Sequence, residues 1–312
     1  MPTSEDFCCL QSGFFFLLLA AAERSYMNSF MSWVGGKKAL RDAVLARFPP
    51  YYERYIEVFG GAGWVLFHKP PGNDFEVLND FNSNLVNLYR CVRDKPNQLK
   101  YKLRYALNSR EDFDWIAGLY KRGLFSRFRD VDRAAKFYQL IRYSYASGLT
   151  SFGSQPHDMR SNFPLIEQAH SIWSDFPQID MAARRLQKVV IENRDFEKLI
   201  RQYDRPVSFF YCDPPYFATE DYYKDVGFTE KDHIRLRDTL LGCSGKFLVS
   251  YNDCPEIRDL WDNPGVYIEE ISRLNNLAQR YDGGCRYAEL LISNYDTTQR
   301  VGAINQLSFF PA

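Results

Sequence analysis

Short apolar runs rich in β-branched or aromatic residues alternate with amphipathic helical patterns along much of this chain. The runs predict strands at Tyr55–Phe59, Glu76–Leu78 (the weakest), Val189–Glu192, Ser208–Cys212, Lys246–Ser250, Tyr267–Ile271 and Ala288–Ser293. The helical patterns between many of them predict helices at Lys37–Phe48, Asn82–Arg93, Phe196–Gln202 and Thr229–Leu241. Because strands that alternate with helices form sheets of parallel strands, the pattern predicts an α/β fold.

The alternation stops in the middle of the chain, where helical patterns and the Gly/Ser/Pro-rich stretch Ser147–Pro164 replace the strands. Between Lys95 and Arg160 the chain has 13 Lys and Arg but only 6 Asp and Glu, whereas the whole chain balances 39 against 39. This positive excess favours a polyanion as partner, although a solvated helical surface also explains it. The predicted division is an N-terminal extension outside the fold, an interrupted α/β domain and a helical insert: 1–31, 32–94 with 189–312, and 95–188.

The apolar run Phe14–Ala22 has nine residues, whereas a membrane-spanning helix needs about 20. The acidic Glu5 and Asp6 stand where a secretory signal carries positive charge, so a cytoplasmic protein is expected, with no membrane. The run is then either a short accessory helix or part of an upstream segment that the fold does not need, with Met27 and Met31 as alternative starts. The seven Cys include no CxxC pair and the four His are scattered, so neither a metal site nor a disulfide framework is expected. No heptad pattern is present, and a monomer is expected.

Two features follow the first two predicted strands. The first is the turn Gly60–Gly63, whose glycines let the backbone approach a ligand closely, although a simple chain reversal is equally compatible. Leu66 breaks the dinucleotide-binding fingerprint. The second is Asp80, an acid placed to accept hydrogen bonds from a ribose. Helix capping competes with that role, because a helical pattern begins at Asn82.

The third feature is the aromatic strand Ser208–Cys212 running directly into Asp213-Pro214-Pro215-Tyr216. Two prolines make a rigid turn that lacks two N–H donors. The Asp213 carboxylate and the Pro214 carbonyl are then paired acceptors at the carboxyl end of a strand, where open α/β sheets bind ligands. With the ring of Tyr216 beside them, these acceptors suit a planar ring that carries an amino group. An ordinary turn with an exposed Asp is the alternative.

Taken in order, these segments resemble the Dam-like, D12 class of N6 adenine-specific DNA methyltransferases over roughly Ser32 to Tyr295. The segment 33–37 (Trp-Val-Gly-Gly-Lys) resembles the N-terminal cofactor motif of that class, and Asn193–Phe196 resembles the segment at the cofactor adenine. The implied fold is a Rossmann-like S-adenosylmethionine-dependent methyltransferase sheet with a mostly helical inserted target-recognition domain.

The resemblance implies an enzyme that transfers a methyl group from S-adenosylmethionine to N6 of an adenine flipped out of double-stranded DNA. The implied catalytic residues are Asp213, Pro214, Pro215 and Tyr216. The implied cofactor-binding residues are Trp33, Lys37, Phe59, Gly61, Gly63, Asp80, Asp195, Phe196 and Asp213. The candidates for DNA contact in the insert are Arg142, Tyr143, Tyr145 and Arg160. Asn252 is a candidate for the pocket border, and Phe217–Phe228 for a loop that closes over the base.

The insert does not match the GATC-reading segment of Dam itself, so that specificity is not carried over. A cognate restriction endonuclease is a candidate partner. Methylation of cytosine N4, of an adenine in RNA or of a protein amide stays open, although Asp213 stands where the cytosine enzymes more often carry Ser and the amide enzymes Asn. From another class, a catalytically silent DNA-binding module on the same fold would not need to bind S-adenosylmethionine.

Overall fold

The computed structural model describes residues 27–33, 35–144, 148–153, 172–217, 227–274 and 286–298. Within these ranges seven strands form one sheet in the order β3-β2-β1-β4-β5-β7-β6. The strands are β1 (Arg54–Glu57), β2 (Phe75–Asn79), β3 (Val189–Glu192), β4 (Ser208–Cys212), β5 (Lys246–Asn252), β6 (Tyr267–Leu274) and β7 (Arg286–Ser293). All seven predicted strands are therefore confirmed, with shifts of a few residues at some ends.

Ten α-helices connect or flank the strands in the described ranges. They are α1 (Arg41–Ala46), α2 (Trp64–His68), α3 (Ser83–Asp94), α4 (Pro96–Leu103), α5 (Arg110–Lys121), α6 (Asp130–Tyr143), α7 (Phe176–Leu186), α8 (Phe196–Tyr203), α9 (Glu230–Leu241) and α10 (Pro255–Trp261). Short 3₁₀ helices lie at Leu124–Arg127 and Ile172–Asp175. A capping box of Thr229 and Asp232 begins α9, so the start of that helix is confirmed.

Neighbouring side chains of each strand point to opposite faces of the sheet. Tyr55 and Phe209 belong to an apolar cluster with α1–α7, whereas Ile56 and Phe210 belong to a second cluster with α8–α10. All four side chains are fully buried. Helices therefore cover both faces of the sheet, and the predicted α/β fold is confirmed.

The last two strands depart from the parallel arrangement. The pairs from β3 across to β5 are parallel, but β7 lies between β5 and β6 and runs antiparallel to both. Neighbouring parallel strands need a crossover of about a dozen residues or more, usually a helix. The sequence predicts no helix between β6 and β7, which is consistent with their antiparallel pairing. The insertion of β7 brings Glu289 opposite both Asn252 and Ile271.

The helices of the predicted insert pack directly on α3. Leu99, Phe113 and Phe137 share one apolar cluster with Leu85 and Leu88 of α3. The start of α6 is tied to the same helix, since Asn87 Nδ2 donates to the Asp130 carbonyl at 2.9 Å and Arg133 Nε to Asn84 Oδ1 at 2.7 Å. The helices between residues 95 and 188 are thus anchored on the layer that also covers the sheet.

The end of the predicted N-terminal extension belongs to the fold. Met27, Phe30 and Met31 are all buried, and the Phe30 ring lies 5.8 Å from both Phe67 and Tyr89, between centroids. The prediction that 1–31 lies outside the fold is therefore wrong for 27–31, where three apolar residues stand too close together to show a helix or strand period. Phe14–Ala22 lies outside the described residues. No helix in the described ranges is long and apolar enough to cross a membrane.

Candidate active site

Three hydrogen bonds hold the glycine turn Gly60–Gly63, which lies between β1 and α2. Gly60 N donates to the Asn79 carbonyl at 2.7 Å, Tyr89 Oη to the Gly61 carbonyl at 2.7 Å, and Ser29 Oγ to the Ala62 carbonyl at 2.5 Å. Gly61 and Gly63 have φ of 49° and 66°, a left-handed conformation that costs other residues roughly 1–2 kcal/mol. The turn is therefore a fixed backbone surface that requires glycine.

Asp80, at the end of β2, holds this turn from the other side. Its Oδ2 accepts from Gly61 N at 2.9 Å, and its Oδ1 accepts from Asn82 N at 2.7 Å. The N-cap of α3 is Asn82, whose side chain accepts from Asn84 N and Leu85 N, so Asp80 is not the helix cap. Burial raises the pKa of Asp80 more than these two backbone donors lower it.

One pocket at the carboxyl ends of the central strands contains every predicted cofactor residue. Besides Pro215 of the tetrapeptide, its lining includes Trp33, Lys37, Phe59, Gly61, Gly63, Asp80, Asp195, Phe196 and Asp213. Asp195 caps α8 by accepting from Glu197 N and Lys198 N. The ring of Phe196 is only 5% exposed and lies 5.7 Å from that of Phe59. The structure thus places in one pocket residues as distant in the sequence as Trp33 and Asp213, which are 180 positions apart.

A buried polar network surrounds Asp213 at the inner end of this pocket. Lys37 Nζ lies 2.5 Å from both Asp213 Oδ1 and Tyr216 Oη, and 3.8 Å from Glu289 Oε2. Tyr216 Oη donates to Glu289 Oε2 at 2.6 Å, and Ser250 Oγ donates to Asp213 Oδ1 at 3.1 Å. Lys37 and Glu289 are 6% and 1% exposed. One ammonium group therefore faces two carboxylates in a largely water-free site.

Burial raises the pKa of two members of this network, Asp213 and Tyr216. It raises the pKa of Asp213, while the charge and hydrogen bond of Lys37 oppose that rise. Burial, with the nearby Asp213 and Glu289 charges, also raises the pKa of Tyr216 well above its usual range. Tyr216 is thus a neutral phenol whose hydroxyl is fixed by hydrogen bonds. Its ring also lies beneath the Lys37 ammonium, 4.4 Å from the nitrogen to the ring centroid.

Polar residues of this region that were not predicted as site residues include Glu57, Arg235, Ser250 and Glu289. Glu57 lines the pocket and accepts from Tyr55 Oη at 2.7 Å and Leu66 N at 2.9 Å. A sequence signal existed for Glu289, because a charged residue inside the predicted strand Ala288–Ser293 needs a buried partner. No comparable signal marks Arg235, which stands in a helix full of charged residues.

Of the four predicted DNA contacts, the described residues include Arg142 and Tyr143. Arg142 pairs with Asp175 at 2.8 Å between Nε and Oδ2, so a DNA phosphate would compete with this ion pair. Tyr143 is 4% exposed, and its predicted DNA contact is wrong for this conformation because the ring lies in the core. Tyr145 and Arg160 lie outside the described residues, as does most of the predicted loop Phe217–Phe228.

Asn252, predicted at the pocket border, ends β5. Its Nδ2 donates to the Phe217 carbonyl at 3.4 Å. Since Phe217 directly follows Tyr216, this contact fastens the segment after the tetrapeptide to the sheet. The structure therefore gives Asn252 a contact beside the site, although it is not among the residues that line the pocket.

The comparisons with known proteins agree with this arrangement. Residues 33–277 match the family model of the D12 class N6 adenine-specific DNA methyltransferases. The chain is 28% identical over 281 residues to the type II methyltransferase M1.LlaDCHI of Lactococcus lactis subsp. cremoris, covering 86% of this chain and 96% of that protein. It is 24% identical over 280 residues to the DNA adenine methylase of Haemophilus influenzae, covering 84% and 92% respectively. With its motifs gathered around one pocket and its family model matched over most of its length, the chain belongs to the D12 class of N6 adenine-specific DNA methyltransferases.

Proposed function

We propose that this enzyme uses S-adenosylmethionine to methylate N6 of an adenine flipped out of double-stranded DNA. One observation carries the proposal: Asp213 lines the same pocket as the glycine turn and Asp80. A cofactor held by the turn and Asp80 would extend toward the acceptor group beside Asp213. The helical segment 95–188 is proposed as the target-recognition insert, supported by its excess of Lys and Arg.

The pocket residues fit such a cofactor. Each carboxylate oxygen of Asp80 accepts a hydrogen bond from a backbone N–H group. Each oxygen has a second lone pair that could accept a hydrogen bond from a ribose hydroxyl. A Cβ at Gly36 would lie 2.6 Å from Trp64 Nε1, and one at Gly61 would lie 3.3 Å from Trp33 Cδ1. At these two positions the pocket wall therefore has little room for a side chain larger than that of glycine. When bound, S-adenosylmethionine supplies an electrophilic methyl group on a sulfonium.

Asp213 and Pro214 would accept hydrogen bonds from the N6 amino group. Lys37 and Ser250 both contact Asp213 Oδ1. Among the described residues no hydrogen bond to Oδ2 is present, so this oxygen is available to the amino group. Two acceptors on the N–H groups would remove the conjugation of the nitrogen lone pair with the ring and orient that lone pair toward the methyl group. The acceleration then comes from position and electrostatics rather than from a covalent enzyme intermediate.

Tyr216 would hold the flipped base against its ring, fixed through its hydroxyl by Lys37 and Glu289. The carboxyl groups of Asp213 and Glu289 would stabilise the positive charge that develops on N6 during transfer. The raised pKa of Asp213 suits it to receive the released proton.

Methyl transfer from labelled S-adenosylmethionine to unmethylated genomic DNA, with total RNA as competing substrate, tests the proposal. Nucleoside analysis should find N6-methyladenine in DNA. Label in cytosine or in RNA would refute the substrate. Absence of cofactor binding would favour the silent DNA-binding module.

Asp213→Ala should abolish transfer but leave cofactor binding and the far-ultraviolet circular dichroism spectrum intact. Asp259→Ala, at an exposed position of α10, is the matched control. A folded Asp213→Ala protein that still turned over substantially would refute the catalytic role.

A cognate restriction endonuclease is proposed as a functional partner, because two relatives are named type II methyltransferases. Such a partner would cleave the same DNA sequence that this enzyme protects. Mapping of the methylated sites, followed by digestion of methylated and unmethylated DNA with a co-purified endonuclease, tests this part.

A further inference from the structure

Arg235 of α9 contacts both members of the Asp195-Phe196 pair. Its Nη1 donates to Asp195 Oδ1 at 2.9 Å and its Nη2 donates to Asp195 Oδ2 at 2.8 Å. Its guanidinium carbon also lies 4.0 Å from the centroid of the Phe196 ring. All three residues line the pocket. One planar cation therefore fixes a carboxylate and an aromatic ring that face the same space.

The guanidinium group is itself held in place. Nη2 donates to Asp232 Oδ1 at 2.9 Å, and Nη1 donates to Glu197 Oε2 at 3.2 Å. Three carboxylates thus surround one arginine whose guanidinium group lies over the Phe196 ring. Lysine offers a single rotating ammonium and cannot fork onto a carboxylate while stacking on a ring. The arrangement depends on the shape of arginine as well as on its charge.

The remaining hydrogen-bonding capacity of Asp195 points to a ligand. Oδ1 already accepts from Glu197 N, Lys198 N and Arg235, whereas Oδ2 accepts from Arg235 alone among the described residues. Burial would raise the pKa of Asp195, but the hydrogen bonds and charge of Arg235, with the two backbone donors, bring it below its ordinary value. An ionised carboxylate only accepts hydrogen bonds. The free position on Oδ2 therefore suits an amino group and not a carbonyl.

We propose that Arg235 is a positioning residue that sets the preference of the enzyme for an amino-bearing purine in its cofactor, by fixing Asp195 and the plane of Phe196. The inference rests on the proposed function, because it places the adenine end of S-adenosylmethionine in this part of the pocket. Arg235 acts through its two neighbours and not on the reacting atoms.

Calorimetric titration of S-adenosylhomocysteine and of S-inosylhomocysteine, in which a carbonyl replaces the amino group, tests this inference. The wild-type protein should bind the adenine compound about 10- to 100-fold more tightly, the effect of one unsatisfied buried polar group. Arg235→Ala should weaken adenine binding and remove most of this preference. Arg235→Lys keeps the charge without the fork, and should also lose most of the preference.

Arg201→Ala is the matched control. Arg201 Nη2 donates to Glu197 Oε1 at 2.8 Å and so belongs to the same charged cluster. Its side chain is 70% exposed and pairs with neither Asp195 nor Phe196 in the described structure. Affinity and preference should therefore both stay at wild-type values in this variant.

A merely structural role for Arg235 would lower both affinities equally and leave their ratio unchanged, which would overturn the inference. An unchanged ratio in Arg235→Lys would overturn it as well, even if Arg235→Ala did not fold. A wild-type protein that binds the adenine compound without preferring it would refute this inference alone. A wild-type protein that binds neither compound would refute the proposed function and the inference together.

Discussion

The charge of Glu57 should govern much of the pH dependence of stability. Burial raises the pKa of this carboxyl from 4.5 to about 8, against the opposing hydrogen bonds from Tyr55 and Leu66. The folded protein therefore binds a proton that the unfolded chain releases between these two pH values. The contribution to stability is complete below pH ~4.5 and is lost as the pH rises toward 8. At about 1.36 kcal/mol per pH unit, the total loss is ~5 kcal/mol.

Glu57→Gln removes the titration but keeps an oxygen that can accept from Tyr55 and Leu66. The wild-type free energy of unfolding should therefore fall between pH 5 and pH 8 by ~4 kcal/mol more than that of the variant. Urea unfolding at four or five pH values, followed by circular dichroism and extrapolated linearly to water, measures both profiles. Glu230→Gln, at an exposed position of α9, should follow the wild-type profile. Parallel wild-type and Glu57→Gln profiles would refute the reasoning.

Three further substitutions test the structure. Glu289→Gln should lower kcat roughly 10- to 100-fold, because Tyr216 and Lys37 lose a partner that holds them in place, while the Kd for S-adenosylmethionine stays unchanged. Single-turnover kinetics measures the first effect and calorimetry the second. An altered Kd with a normal kcat would contradict the assignment. Phe30→Ala should lower the free energy of unfolding by ~3–5 kcal/mol, measured in urea, and a surface-like loss below about 1 kcal/mol would disprove its burial in the core. Gly63→Ala should lower the free energy of unfolding by about 1–2 kcal/mol and weaken cofactor binding, since φ is 66° and the added Cβ would lie 3.1 Å from the Phe67 ring. An unchanged calorimetric affinity for the cofactor would exclude a role for the turn in binding.

Sequence patterns predicted the parts of the fold and site that depend on local order. Asp80 and Asp213 each follow a strand within a few residues, so both could be predicted as site residues from the apolar runs that precede them. Parallel strands bring such ends to one edge of the sheet, and for this reason the separate motifs converge on one pocket. The capping box of α9 was readable because its two members are three residues apart.

The parts that escaped prediction depend on contacts between distant segments. Glu289 reaches Tyr216 only because β7 inserts between β5 and β6, and strand order is not encoded in the local pattern of either strand. Arg235 meets Asp195 across the packing of α8 on α9, 40 positions away. Phe30 lies in a short segment without periodicity, and its burial follows from the helices that it meets.

The network around Asp213 also has a consequence for how the enzyme is made. Lys37 is separated from Asp213 by 176 positions, and Glu289 from Tyr216 by 73. A nascent chain that has left the ribosome only as far as β6 lacks Glu289 and presents the edge of β5 without its neighbour β7. Because unpaired strand edges promote aggregation and non-local contacts slow folding, we expect the incomplete chain to be prone to aggregation. We therefore expect the network around Asp213 to be completed late, when β7, the last strand in the described ranges, fills the penultimate position of the sheet.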